Sequence, residues 1–164
     1  MKRILLLIIT TLTLCCCTND NDKPTNPVSQ LPPETQNGAN TFGFLINGEP
    51  VNVTNTSNQT AIYQGGLLQL GAGGIGIDIS NISANIEYDL VGINLDGRAR
   101  YQVDSNPQLG CQYDFEDTNQ GNITFTKIDT VNYILSGIFE FSTVTDNCQD
   151  VKITNGRFDM QYIP

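Results

Sequence analysis

The chain has no histidine and no tryptophan, and it is short of basic side chains: 8 Lys and Arg against 17 Asp and Glu in 164 residues, a formal charge of −9. Each shortage removes a class of chemistry. Without histidine there is no Ser-His-Asp relay, no His-ligated zinc and no imidazole to activate a cysteine thiol. An acidic surface releases no counterions from phosphates, so nucleic acid is disfavoured as a partner, and anionic lipid head groups repel it. Charged residues make up only 15% of the chain. Asn, Thr, Gln, Ser and Gly carry the polarity instead, as in exported β proteins. No run of ten or more residues has apolar positions at helical spacing. A phosphate loop is missing too: GAGGIGID (Gly71–Asp78) has a superficial likeness to a nucleotide fingerprint but leads into a strand pattern, not a helix.

Cysteine is scarce and oddly placed. Three of the five lie side by side, at Cys15, Cys16 and Cys17. They follow a positive start (Lys2, Arg3) and an apolar run, Ile4 to Leu14, which at 11 residues is too short for a span that needs about 20. The arrangement resembles a bacterial lipoprotein signal, with Leu at −3, small residues and then the Cys that receives diacylglycerol. Cys17 fits best, with Leu14 at −3; Cys15 has bulky Leu14 at −1, and Cys16 has Thr13 at −3. The reading is a signal peptide over 1–16 and a lipidated Cys17; a plain secreted protein is the alternative. Fatty chains on Cys17 would anchor the protein, since each buried CH₂ contributes about 0.8 kcal/mol. Cleavage removes Lys2 and Arg3 and leaves 17 acidic and 6 basic side chains, a net of −11. It also leaves Cys111 and Cys148, an even pair in an oxidising compartment, which reads as one disulfide.

Residues 18–40 hold no aromatic and four prolines, Pro24, Pro27, Pro32 and Pro33. Such a segment buries too little to offset ordering, so 17–40 is expected to be a flexible tether holding the domain clear of the membrane. Asp20 and Asp22, just past Cys17, resemble the surface-export signal of Bacteroidetes lipoproteins; ordinary linker polarity is the alternative.

From Phe42 the period is two, so 41–164 is expected to be one all-β domain: an antiparallel sandwich or flattened meander barrel of about ten short strands. Three dipeptides suit tight turns. Asn47-Gly48 sets Phe44 opposite Val51 and Phe42 opposite Val53, and Gly65-Gly66 sets Tyr63 opposite Leu68 and Ala61 opposite Leu70. Asn155-Gly156 would pair Ile153 with Phe158 and Val151 with Met160, with Lys152 facing Asp159. A fourth turn, Asp96-Gly97, would join 87–95 to 98–103 and put Tyr88, Leu90, Tyr101 and Val103 on one face, with arginine stems covering the other. Ile75, Ile77 and Ile79 share a face, and 122–129 with 132–144 form a further pair carrying Tyr133, Leu135, Phe139 and Phe141 on one side.

GNITFTKIDTVNYILSGIFEF (Gly121–Phe141), the following VKITNGRFDMQYI, and LPPETQNGANTFGFLINGEPV (Leu31–Val51) resemble a family of flavobacterial-type Bacteroidetes surface lipoproteins of unknown function. The likeness covers most of the mature chain and is patchy between residues 55 and 110; Phe44 stands where relatives are expected to carry Cys. It implies location and β architecture: an outer-membrane, lipid-anchored protein facing the cell exterior, with the periplasmic face as alternative. The same phylum glycosylates Asp-Thr-(small apolar) triplets, which makes Thr130 in Asp129-Thr130-Val131 a candidate.

Among the carboxylates, Asp114, Glu116 and Asp117 are clustered. Strand alternation would put Asp114 and Glu116 on one face, as a charged edge, a calcium site or one half of a hydrolase pair. The reading preferred is a non-catalytic surface binding or envelope accessory module without a cofactor. A small-ligand or glycan binder would instead gather Tyr63, Tyr88, Tyr101 or Tyr113 in one cleft, and a hydrolase would need an acidic partner across a cleft from Asp114 or Glu116.

Overall fold

A computed structural model describes residues 26–94, 96–102, 110–146 and 148–164. The leader, Cys15 to Cys17, Asp20, Asp22, Leu95 and Val103 lie outside these residues. Eleven strands form two antiparallel sheets that pack face to face. They are β1 (Thr41–Ile46), β2 (Glu49–Val53), β3 (Gln59–Gln64), β4 (Leu67–Ala72), β5 (Ile75–Ser80), β6 (Glu87–Asp89), β7 (Arg98–Gln102), β8 (Gln112–Tyr113), β9 (Thr118–Asp129), β10 (Ile134–Thr143) and β11 (Val151–Gln161). One sheet runs β2-β1-β11-β10-β9-β6, the other β3-β4-β5-β7-β8. The fold is therefore the all-β sandwich; the flattened barrel does not form, and the two sheets keep separate edges. Three strands are long rather than short: β9, β10 and β11 have 12, 10 and 11 residues.

Local turn chemistry sets the simplest pairs. Asn47 and Gly48 both take positive φ, and the β1–β2 register is Phe42↔Val53, Phe44↔Val51 and Ile46↔Glu49. Gly65 and Gly66 do the same between β3 and β4, pairing Tyr63↔Leu68 and Ala61↔Leu70. The alternating isoleucines of β5 are all buried, and β9 pairs with β10. Phenylalanines from the first sheet (Phe42, Phe44, Phe125, Phe139, Phe141, Phe158) meet the leucines and isoleucines of β4 and β5 in one core. Phe42 and Phe139 are 5.3 Å apart at their ring centres.

Four expectations are corrected. Asn155-Gly156 is not a hairpin turn: β11 continues through it, with Asn155 at φ 52 in a bulge. Against β10 the register passes from Phe139↔Gly156 to Phe141↔Ile153, and against β1 from Gly43↔Arg157 to Leu45↔Thr154. Lys152 thus pairs with Ser142, and Asp159 with Ser136 and Thr41. Second, β6 and β7 are not partners: β6 pairs with β9 in the first sheet and β7 with β5 and β8 in the second. Third, Tyr133 sits in the β9–β10 turn at φ 56 and is exposed rather than aligned with Leu135.

The fourth concerns the tether. Residues 27–30 form a 3-10 turn and 31–40 lie as a strap on the outer face of the first sheet. Leu31 is 7% exposed. Pro32 sits where a Cβ on Gly43 would be, with its Cδ 2.5 Å from that position. The burial patterns record the footprint. Alternation gives way to four consecutive buried residues in β1 (Phe42–Leu45) and β10 (Ile134–Gly137); Pro32 lies over Gly43 and Gly38 over Ile134, positions that would otherwise meet water.

Candidate functional site

The strap is held by one carboxylate. Asp159 points outward from β11 and is 1% exposed beneath the strap. Its Oδ2 accepts from Thr35 Oγ1 at 2.6 Å, Asn37 N at 3.0 Å and Ala39 N at 3.1 Å; its Oδ1 accepts from Gly38 N at 2.9 Å and Ser136 Oγ at 2.8 Å. Gly38, at φ 75, lets three successive N–H groups converge on one anion. Burial works against ionisation of Asp159, but the donors from Thr35, Gly38, Ala39 and Ser136 outweigh it and hold the group down at about 2. Lys127 Nζ to Gln36 O (2.9 Å) and Arg157 Nη1 to Glu34 (3.6 Å) fasten the strap further. Asp159 was expected opposite Lys152 on an exposed face. The available signal was a lone acid among Phe158, Met160 and Tyr162, with its donors more than a hundred residues away in sequence.

The strap covers only one half of the sheet's outer face. The other half is an open polar trough. One opening, of about 230 Å³, is lined by Gln120, Asn122, Glu140, Ser142, Lys152 and Thr154 with the backbone of their neighbours. A second, of about 340 Å³, continues it over Asn122, Glu140 and the Asn155-Gly156 bulge to Arg157 and Glu34 of the strap. Cross-strand pairing organises the lining, with Gln120↔Ser142↔Lys152 in one row and Asn122↔Glu140 in the next. Gln120 Nε2 donates to Ser142 Oγ at 3.2 Å. Among the described residues, Glu140 and Lys152 form no ion pair.

The second sheet's outer face differs. It carries a trough of about 290 Å³ over the Gly71–Gly76 pair, in which Asp78 has an ion-pair partner. Asp78 accepts from Arg98 at 2.7 Å, and the Arg98 and Arg100 guanidinium groups lie 4.0 and 5.2 Å from the Phe115 ring centre. The arginines do not cover Val91 and Ile93, which are exposed; their guanidinium groups lie over Phe115 instead.

The sequence-derived site residues scatter. Asp114, Glu116 and Asp117 are not on a strand: 115–117 is a 3-10 turn, and Asp117 Oδ2 accepts the Asp114 N–H at 2.8 Å. Asp114 and Glu116 are exposed, and among the described residues no three Cys, Asp or Glu are grouped to hold a metal ion. Thr130 is exposed in the β9–β10 turn. That turn is capped by Asp129, whose Oδ1 accepts from Val131 N and Asn132 N and whose Oδ2 accepts from Asn132 Nδ2. The Asn132 side chain and backbone chiefly hold Asp129 at about 2. Cys111 and Cys148 are bonded, with Cα atoms 5.9 Å apart. The four tyrosines do not share a cleft. Tyr101 and Tyr113 are buried and stacked, burial pushing both phenols up, and the Tyr113 hydroxyl donates to Gln149 O. Tyr88 packs edge-on to Phe125 and Tyr63 on Tyr162. No family model, curated protein or solved structure matches the chain.

Proposed function

We propose that this chain is an exported lipoprotein whose β domain is a non-catalytic binding or envelope accessory module. Cys17 carries the lipid after removal of 1–16, and the domain stands on the outer membrane, facing the exterior. The observation that carries the binding reading is the open trough on the six-stranded sheet, where Glu140 and Lys152 stand without ion-pair partners among the described residues. The non-catalytic part draws support from Asp114 and Glu116, which stand exposed at a 3-10 turn rather than side by side on a strand face. The docked strap also takes 27–40 out of the tether expected over 17–40.

The test is mass spectrometry of the amino-terminal peptide from membranes of a Gram-negative host, with protease shaving of intact cells. The expected peptide begins at Cys17 and carries diacylglycerol, Cys17→Ser moves the protein out of the membrane fraction, and shaving removes the domain. An unmodified amino terminus, or membrane retention of the Cys17→Ser protein, refutes the anchor. Protection of the domain in intact cells refutes the outward orientation.

A further inference from the structure

We infer that the trough over β9, β10 and β11 binds a neutral, hydroxyl-rich chain, a glycan, by hydrogen bonds to its polar lining and without the tyrosine cleft expected from the sequence; this rests on reading the domain as a binding module. The shape is that of a channel rather than a cavity. Its two openings merge through Asn122 and Glu140. From Ser142 to Ile138 along β10 is four strand steps, ~13 Å, and β9 to β11 is two strand spacings, ~10 Å. An open trough of that size takes a segment of a polymer that enters at one end and leaves at the other.

The chemistry narrows the polymer. Glu140 only accepts hydrogen bonds and Lys152 only donates, while Gln120, Asn122, Ser142 and Thr154 do both. A hydroxyl both donates and accepts, so a polyol can satisfy every group of this lining. A polyanion would meet Glu140 centrally and Glu34 and Glu87 at the far end, on a chain of net charge −9. A polycation would meet Lys152, which has no ion-pair partner among the described residues. An apolar ligand would strip water from all of these groups and leave them unpaired. A peptide strand satisfies its backbone best at a sheet edge, and this trough lies on a sheet face whose backbone groups are already bonded between strands. The floor needs no ordering on binding, because β9, β10 and β11 are the interior strands of the sheet.

The experiment is affinity electrophoresis of the full-length protein, extracted in mild detergent, through native gels containing mixed-linkage β-glucan, α-mannan, dextran or the anionic alginate. At least one neutral polymer is expected to retard the protein. Asn122→Ala/Glu140→Ala is expected to weaken that retardation about tenfold or more, the equivalent of roughly one lost hydrogen bond. Lys152→Ala should act in the same direction, and Gln69→Ala, on the other sheet's trough, should not. Circular dichroism melting reports whether each variant folds, and Lys152→Ala alone decides if the double variant does not. Retardation by none of the neutral polymers, by alginate alone, or undiminished in the trough variants overturns the inference. The Cys17 lipid mass is read independently, so a lipidated protein that ignores every polymer loses this inference and keeps its anchor.

Discussion

A buried carboxylate is costly unless donors surround it, and Asp159 has five. Its pKa lies at about 2, below the ordinary 3.8, so the folded state holds the proton less tightly than the unfolded chain. The associated stability is present above about pH 4 and is lost as pH falls through about 2. At pH 7 it amounts to about 2 kcal/mol by linkage. Urea denaturation should show this loss between about pH 4 and 2, and Asp159→Asn should remove Asp159's part of that acid limb while leaving the part due to Asp129. The variant should also be less stable at pH 7 by about 3 kcal/mol, because an amide turns two of its own donors toward N–H groups that need an acceptor. The strap should loosen first, with faster hydrogen exchange at Asn37, Gly38 and Ala39 than in the core strands. A variant whose acid limb and strap protection match the parent protein would show that Asp159 is not what holds the strap.

The elements separate into those whose register is local and those whose register is not. The β1–β2 and β3–β4 hairpins were legible because the turn residues and the paired side chains lie within a dozen positions of one another. Asn155-Gly156 misleads for a definable reason. Along β11 the buried apolar positions pass from odd (Val151, Ile153) to even (Phe158, Met160, Tyr162). A two-residue turn and a one-residue bulge both shift that parity by one, so the pattern fits either, and only the strands on both sides choose. β6 and β7 likewise carry no local mark of belonging to different sheets. The trough escaped notice because its residues read as ordinary outward polar positions, and the strap because its partners are remote. Within β10, Gly137 pairs with Phe125 on one side and Phe158 on the other, and those two rings meet edge to face at 5.9 Å. A Cβ there would stand 2.7 Å from Phe158 Cζ and 2.5 Å from Thr124 O. Gly137→Ala should therefore destabilise the domain by about 2 kcal/mol through overpacking, although alanine suits a strand interior better than glycine. Thermal melting would show it, and an unchanged midpoint would mean that the rings can part at little cost.

At the scale of the molecule, the two sheets are tied together at both edges of the smaller one. At the β3 edge the chain leaving β11 crosses over: Tyr63 N donates to Ile163 O and Ile163 N to Ala61 O, each at 2.8 Å. At the β8 edge the tie is covalent. Cys111, just before β8, is bonded to Cys148 in the β10–β11 connection, 37 residues on, and the Tyr113 hydroxyl bonds to Gln149 beside it. The β8 strand itself is only two residues long. By the chain-entropy estimate a loop of this length contributes about 4 kcal/mol. Reduction, or Cys111→Ser/Cys148→Ser, should therefore lower stability by an amount of that order, and unevenly. Hydrogen exchange should accelerate first at Tyr113 and along β7, while the amides of Tyr63 and Ile163 keep their protection, because their tie does not pass through sulfur. Uniform acceleration at both edges would show instead that the sandwich opens as a single unit and that the disulfide's effect lies wholly in the unfolded chain.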